Sequence, residues 1–360
     1  MVKFFITFVM ALSVGFSYAD TNRFIDACGR EVQIPEELTR LSAVGPASSA
    51  LAEYTDYAYW LVTRDIPASI DKARKTCSCA YPDNYDTLAS VFRSYNSFIP
   101  DYHAINDAKP ELIITTGLNS RQVEKLASSV DSTVAALNCS ETGYLNYDSI
   151  MQSLRLAGVV FDDRKNMQDI ANFMARTRKE LIDRTRDTDK KRVFILSQQY
   201  KDLKDGYTVE KCYIYLRYMN QRCIGSSTTA QTSYLDITFK ELAEHQPEYM
   251  FVEYTMLDRL KQDYLANREL FKSLPAVKNG KVFTILPYNR YSARYENLLI
   301  NSYYIGTAMY PELFGAENIA TLADNISREF TGSGFFENVP QTIPVFKNLV
   351  FSEKGITIRK

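Results

Sequence analysis

Histidine is scarce in this chain, since His103 and His245 are the only two among 360 residues. A histidine-rich zinc or nickel site and a histidine-based catalytic triad are therefore hard to build. The sequence also lacks the GxSxG, HExxH and Walker motifs. We expect no catalytic residues and no metal held by the protein alone, which makes an enzyme the weakest of the functions considered.

Neither positive nor negative charge is in clear excess. The formal net charge is -1, the isoelectric point is near 6.2, and no block of basic residues occurs. Nucleic acid is therefore not expected as a partner. Beyond the first 20 residues, no stretch is long and apolar enough to predict a transmembrane helix.

The first residues have the pattern of an export signal. Lys3 precedes an apolar run from Phe4 to Phe16, and Ser17-Tyr18-Ala19 follows as a small-x-small cleavage site. This order is typical of a signal peptide over residues 1–19, cut near Ala19. The alternative is a buried N-terminal helix or strand. We expect a soluble, exported protein.

Export changes the interpretation of the cysteines. An even number of cysteines in an oxidising compartment favours disulfides. Cys212 and Cys223 are the pair suggested by proximity, although one sequence does not determine the pairing. Cys77 and Cys79 also resemble half of a metal site, but no second cluster accompanies them. The six cysteines are Cys28, Cys77, Cys79, Cys139, Cys212 and Cys223.

Short apolar runs alternate with helical patterns along the chain. Runs at 41–45, 60–63, 111–116 and 132–137 predict strands, and Trp60 is expected to pack in the core. Such alternation predicts βαβ units with a mostly parallel sheet, an α/β fold.

The segment 162–190 contains no glycine or proline and carries apolar residues at helical spacing. It predicts one long helix of roughly 40 Å, at about 1.5 Å per residue. A new α/β pattern follows it, with strands predicted at 192–196, 248–252 and 281–286 and a helix near 209–219. We therefore expect an N-terminal lobe over 20–161, a linking helix over 162–190 and a C-terminal lobe over 191–360.

An ordered set of motifs resembles the periplasmic binding proteins for iron chelates and vitamin B12. The motifs are FIDACGREVQIP at 24–35, KPELII at 109–114, LAGVVF at 156–161, PAVKNGKV at 275–282 and YPELF at 310–314. The resemblance covers nearly all of the chain after residue 20. It implies two Rossmann-like lobes joined by a single long helix, with a ligand cleft between them. It also implies a monomeric periplasmic receptor that delivers a chelate to an inner-membrane ABC permease.

Two positions depart from that family. Its members commonly carry a glutamate on each lobe that meets an arginine of the permease, and the matching positions here are His103 and Lys240. Either the docking charges have moved to nearby acids, or docking is altered. The second possibility leaves an alternative function, an exported interaction or signalling protein that kept the fold and lost transport.

The ligand is expected beyond the carboxyl ends of the parallel strands, where open α/β sheets bind ligands. Arginine suits anionic oxygens, and tyrosine offers a flat apolar face with a polar tip. A ferric siderophore is the first ligand class, followed by haem and cobalamin, with no covalently bound cofactor. The candidate ligand-binding residues are Tyr288, Arg290, Tyr291, Arg294, Tyr254, Tyr200, Gln198, Tyr81 and Tyr85.

These assignments have alternatives. Tyr288 and Arg290 either contact the ligand or pack within the lobe. Arg294 is either a ligand contact, a solvated charge, or a partner of Glu296 or another acid. Tyr303, Tyr304 and Tyr310 have the spacing of a buried helix face and are expected to pack inside the protein.

Overall fold

The computed structural model describes residues 22–64, 87–94, 99–140, 146–197, 203–210, 213–221, 234–288, 293–315, 318–334 and 343–359. Across those residues, no helix has both the length and the apolar character needed to cross a membrane.

A parallel sheet forms the centre of the first lobe. Its strands β3 (Leu41–Val44), β6 (Leu112–Thr115) and β7 (Thr133–Ala136) lie in that order, and Leu112 is in register with both Leu41 and Thr133. The strands are buried on both faces, as their runs of apolar residues predict. Short hairpins flank the sheet, formed by β1 (Arg23–Ile25) with β2 (Glu31–Gln33) and by β4 (Phe92–Ser94) with β5 (Ile99–Pro100).

Helices cover this sheet, and most begin at a side-chain cap. Asn119 and Asn146 each form a capping box, which satisfies backbone N–H groups that have no partner within the helix. The helices are α1 (Ser48–Tyr54), α2 (Tyr102–Ala108), α3 (Ser120–Ala127) and α4 (Tyr147–Val160). Residues 60–63 do not form the predicted strand. Trp60 ends a short 3₁₀ turn and is 40% exposed, so its predicted place in the core is wrong.

The predicted long helix is present as α5 (Arg164–Thr185). At 22 residues it is about 33 Å long, shorter than expected because the polar residues after Thr185 do not continue it. Its buried residues recur every three or four positions, at Met167, Ile170, Met174 and Leu181. This narrow apolar stripe packs the helix into the core that both lobes share.

The second lobe contains another parallel sheet, in the order β12-β11-β8. Its strands are β8 (Val193–Leu196), β11 (Tyr249–Glu253) and β12 (Val282–Ile285). Residues 206–210 form β9 (Gly206–Glu210) instead of the start of the helix predicted near 209–219. They pair antiparallel with β10 (Tyr234–Thr238). Among the described residues of the predicted helix, α6 (Ile214–Tyr218) is the helical part. A final hairpin joins β13 (Leu349–Ser352) and β14 (Gly355–Ile358).

The helices after β10 complete the second lobe and return to the first. They are α7 (Phe239–His245), α8 (Leu257–Ala266), α9 (Arg268–Ser273), α10 (Pro275–Lys278), α11 (Tyr295–Met309), α12 (Pro311–Phe314) and α13 (Ile319–Thr331). Phe330 of α13 lies with its ring centroid 5.2 Å from Tyr54 of α1 and 6.2 Å from Phe173 of α5. The two lobes are therefore packed against each other through α13.

A repeated corner precedes β6 and β11. Lys109 and Gln246 each have φ of 47°, a left-handed backbone that is unusual for residues other than glycine. Their carbonyls accept hydrogen bonds at 2.9 Å from Arg40 Nε and Arg192 Nε. The next acids, Glu111 and Glu248, then accept the backbone N–H of the same arginines. The similar sequences KPE and QPE thus form the same corner in each lobe.

Candidate functional site

The carboxyl ends of the two parallel sheets meet at one place. The turn after β3 begins at Gly45. After β12, the described residues run to Tyr288 and begin again at Ala293. The Ala293 N–H donates to the Pro46 carbonyl at 2.9 Å. Since ligands of open α/β sheets bind beyond the carboxyl ends of the strands, this junction is the candidate site.

The first lobe contributes a rigid polar turn. Gly45 has φ of +119°, and a Cβ there would lie 1.9 Å from the carbonyl oxygen of Thr116. The Thr116 hydroxyl accepts the Ala47 N–H at 3.1 Å, and Ser48 Oγ lies 3.1 Å from the same hydroxyl. Only glycine allows this close approach of two backbone segments.

The second lobe contributes buried tyrosines and two carboxylates. The Tyr288 N–H donates to Glu253 Oε1 at 2.8 Å, and the hydroxyls of Tyr213 and Ser197 form a hydrogen bond. Burial, followed by the charges of Glu210 and Glu253, raises the pKa of Tyr213 well above its usual value. Burial also raises the pKa of Tyr288 well above its usual value, with Tyr295 and Glu210 adding to the effect. These phenols therefore stay protonated and present hydroxyl groups.

Glu210 holds its proton more tightly than an ordinary glutamate. It is half-buried at the end of β9, and burial together with the nearby Glu253 raises its pKa from 4.5 to about 8. A carboxyl group in such surroundings donates a hydrogen bond instead of only accepting one.

The change Glu210→Gln is expected to stabilise the protein at pH 8 by about 1–3 kcal/mol and to have little effect at pH 4.5. The folded chain keeps the Glu210 proton until about pH 8, whereas the unfolded chain releases it near 4.5. Between these values the folded state binds more protons, so this group lowers stability as pH rises. Urea unfolding from pH 4.5 to 8.5 measures the difference between variant and natural chain. The exposed Glu37→Gln is the control, and an equal pH profile for both variants would contradict this account.

Arg294 joins the two lobes by buried ion pairs. Its guanidinium donates to Glu53 of α1 at 2.6 Å and to Glu296 of α11 at 2.5 Å. All three side chains are no more than 4% exposed. The pairing with Glu296 is one of the alternatives given above, and Glu53 adds a carboxylate from the other lobe. A ligand contact by Arg294 stays a prediction.

Tyr54 completes this cluster. Its hydroxyl donates to Glu296 and accepts the Tyr295 N–H at 2.9 Å. Burial, with the Glu296 charge next, raises the pKa of Tyr54 well above its usual value. We call Glu53, Tyr54, Arg294 and Glu296 the interlobe cluster.

The remaining predicted residues fall into two groups. Tyr254 is described, and it is buried in a 3₁₀ turn directly after β11. The other predicted ligand residues lie outside the described residues, as does the suggested Cys212–Cys223 pair. These ligand residues are Tyr81, Tyr85, Gln198, Tyr200, Arg290 and Tyr291.

The tyrosines expected to pack inside the protein do so. Tyr303 is buried, and Tyr310 is buried with its hydroxyl donating to the Asp189 carbonyl at 2.6 Å. Tyr304 packs on Phe346, with ring centroids 4.6 Å apart. His103 and Lys240 lie exposed on α2 and α7, and Lys240 is 3.8 Å from Glu244.

The acids of the site are not among the residues predicted from the sequence. Glu253 ends the apolar run YMFVE, and Glu53 lies in the largely apolar helix SSALAEY. A charged residue within an apolar segment is a usable signal, because buried charges need partners. No group of three histidine, cysteine or acidic residues able to hold a metal ion occurs within the described part of the chain.

Comparison with known proteins gives one family match. The model of a family described as periplasmic binding protein matches residues 54–288, more than half of the chain. No curated protein matches the sequence.

Solved structures of this kind share the fold at low identity. An ABC transporter solute-binding protein from Sulfurospirillum deleyianum has a TM-score of 0.68 and 16% identity, covering 90% of this chain and 99% of its own. The molybdate-bound periplasmic binding protein of Haemophilus influenzae has a TM-score of 0.66 and 16% identity, covering 87% and 98%. A nickel-bound protein of Helicobacter pylori has a TM-score of 0.66 and 14% identity, covering 88% and 98%.

Proposed function

Since the chain belongs to the periplasmic binding protein family, we propose that it is an exported receptor that binds a metal chelate between its two lobes. It delivers this chelate to an ABC permease. The observation that supports this most is the junction of the two sheets, where the Ala293 N–H of one lobe meets the Pro46 carbonyl of the other. The function is binding and release, with no covalent step.

The side chains at the junction support the proposed ligand class. Tyr288 and Tyr254 supply aromatic area, and Glu253 and Glu210 supply polar groups beside it. Arg290 and Tyr291 follow Tyr288 in the sequence and are proposed to reach the ligand. A large, flat or lobed ligand with anionic oxygens fits such a set, because guanidinium and phenol groups donate to those oxygens. A ferric siderophore is proposed first, with haem and cobalamin next.

Arg294 has a different role in this proposal. Its guanidinium pairs with Glu53 and Glu296, so we propose that it mainly positions the two lobes and that its predicted ligand contact is secondary. The ligand-binding charge is then assigned to Arg290.

The proposed partner is an inner-membrane permease. The surface formed by α2 and α7 is proposed to contact it. His103 and Lys240 are exposed there, with Asp107, Glu241 and Glu244 on the same two helices. We propose that these acids provide the docking charges, that the receptor acts as a monomer in the periplasm, and that residues 1–19 are removed on export.

Ligand titration of the protein from Asp20 onward tests the proposal. The panel contains ferric catecholate and hydroxamate siderophores, haem, cobalamin, nickel and molybdate. We expect one chelate class to quench the intrinsic fluorescence saturably at submicromolar concentration. Trp60, the only tryptophan, and Tyr59 provide part of the signal.

Two other results would change the assignment. Saturation by nickel or molybdate alone would keep the receptor and replace the chelate by a bare ion. If no member binds a chain shown to be folded by circular dichroism, chelate uptake is wrong, and the exported interaction protein becomes the working function.

A further inference from the structure

Two cysteines from distant parts of the sequence lie side by side in the first lobe. Cys28 lies in the turn between β1 and β2, and Cys139 follows β7. Their Sγ atoms are 2.7 Å apart, although 111 positions separate them in the chain. Both are half-buried and are present as thiols. Two unbonded sulfur atoms do not ordinarily lie this close.

The backbone around Cys28 is held in place without help from its sulfur. The buried Asp26 carboxylate accepts the N–H groups of Cys28 and Arg30, each at 2.9 Å. The same carboxylate accepts the Ala136 N–H, and the Ala27 N–H donates to the Ala136 carbonyl at 2.8 Å. The hairpin turn is thereby fixed to the end of β7.

The backbone around Cys139 is held independently. Cys139 forms a parallel bridge with Leu118, and the Ser140 N–H donates to the Leu118 carbonyl at 3.2 Å. Both cysteines are therefore presented to each other by hydrogen bonds that do not involve sulfur. A disulfide at such a site needs little movement of the backbone, which is the condition for an unstrained bond.

We propose that Cys28 and Cys139 form a disulfide that ties the first hairpin to the sheet of the first lobe. The co-reactant is a small-molecule or protein disulfide. One cysteine thiolate attacks it and releases one thiol, and the second cysteine attacks the mixed disulfide and releases the other. The protein loses two S–H bonds and gains one S–S bond, the S–S bond of the co-reactant breaks, and both protons leave with the two released thiols. Burial, followed by Cys139 and then Asp26, raises the pKa of the Cys28 thiol to about 12, so this cysteine is slow to form a thiolate.

The crosslink has a consequence for stability. It closes a long loop and so reduces the conformational freedom of the unfolded chain, an effect that grows with loop length.

In the cell the disulfide needs an oxidising compartment, and in that respect it rests on the export in the proposed function. Its chemistry is independent of any ligand.

Peptide mapping tests the proposal directly. The purified protein is equilibrated with oxidised and reduced glutathione, alkylated without reduction, digested and analysed by mass spectrometry. We expect a linked peptide pair that contains Cys28 and Cys139. Alkylated Cys28 and Cys139, or a link from either to another cysteine, would overturn the proposal. The receptor function would be unaffected by that result, since the glutathione buffer supplies the oxidising conditions here and no ligand takes part.

Thermal unfolding provides the second readout. Reductant is expected to lower the Tm of the natural chain by about 3–7 °C more than that of Cys28→Ser/Cys139→Ser. Each single serine variant should behave like the double variant, because either change removes the same bond. Equal reductant effects in all four proteins would contradict the proposal.

Discussion

Replacing Arg294 by methionine is expected to lower the free energy of unfolding by about 3–5 kcal/mol. The change leaves Glu53 and Glu296 buried without the guanidinium that now lies 2.6 and 2.5 Å from them. Removing one partner of a buried ion pair costs far more than the pair itself contributes. Urea unfolding of the natural chain and the variant at pH 7 measures the loss.

A matched control separates burial from charge. Lys165 pairs with Asp169 at 2.8 Å, but its side chain is 91% exposed. Lys165→Met removes one positive charge and one ion pair as well, and is expected to cost no more than about 0.5 kcal/mol. If Arg294→Met were as stable as Lys165→Met and had lost ligand affinity, Arg294 would belong to the ligand site.

Replacing Gly45 by alanine is expected to cost at least about 3 kcal/mol, or to prevent folding. The new Cβ would lie 1.9 Å from the Thr116 carbonyl oxygen, and the backbone there has φ of +119°. Gly45 directly follows β3 and Thr116 directly follows β6. Since these two strands pair in parallel, neither the new Cβ nor the Thr116 carbonyl can move away without disrupting the sheet. The Tm and the urea midpoint report the effect.

Gly332→Ala is the control for the backbone strain alone. Gly332 also has a positive φ, +70°, but a Cβ there would meet nothing within 4 Å. It is therefore expected to cost only about 1–2 kcal/mol. Similar losses in the two variants would mean that the turn after β3 accommodates a side chain, contrary to the close approach described above.

The central strands of both lobes could be predicted from the sequence because they are short, continuous apolar runs. The runs at 111–116 and 248–252 became β6 and β11, each one residue or so from the expected bounds. The repeated KPE and QPE corners also mark equivalent positions in the two lobes. Local patterns succeed here because burial on both faces leaves a strong hydrophobic signal.

Other elements depend on contacts that the sequence does not show. The sequence predicts a helix from about Val209, but pairing with residues 234–238 makes residues 206–210 a strand. Trp60 is apolar and yet exposed, since the chain turns in a 3₁₀ helix there. Tertiary context decides such ambiguous segments.

The interlobe cluster is the clearest case at the candidate site. Glu53 and Arg294 are separated by 241 positions, so nothing local predicts their pairing. The sequence did indicate that the segment around Tyr288 follows the last strand of the second sheet, and Tyr288 lies at the junction of the lobes. Pairing of Arg294 with Glu296 was one of the alternatives, but the sequence did not indicate that Glu53 of the other lobe is its second partner.

The most direct test of the account is the affinity of Arg290→Ala for the chelate that the titration selects. Isothermal titration calorimetry would compare it with the natural chain and with Lys354→Ala, an exposed control in the final hairpin. The account predicts one chelate per natural chain, an affinity at least about tenfold weaker for Arg290→Ala, and no change for the control. Unchanged affinity in a folded Arg290→Ala protein would contradict ligand binding between the lobes.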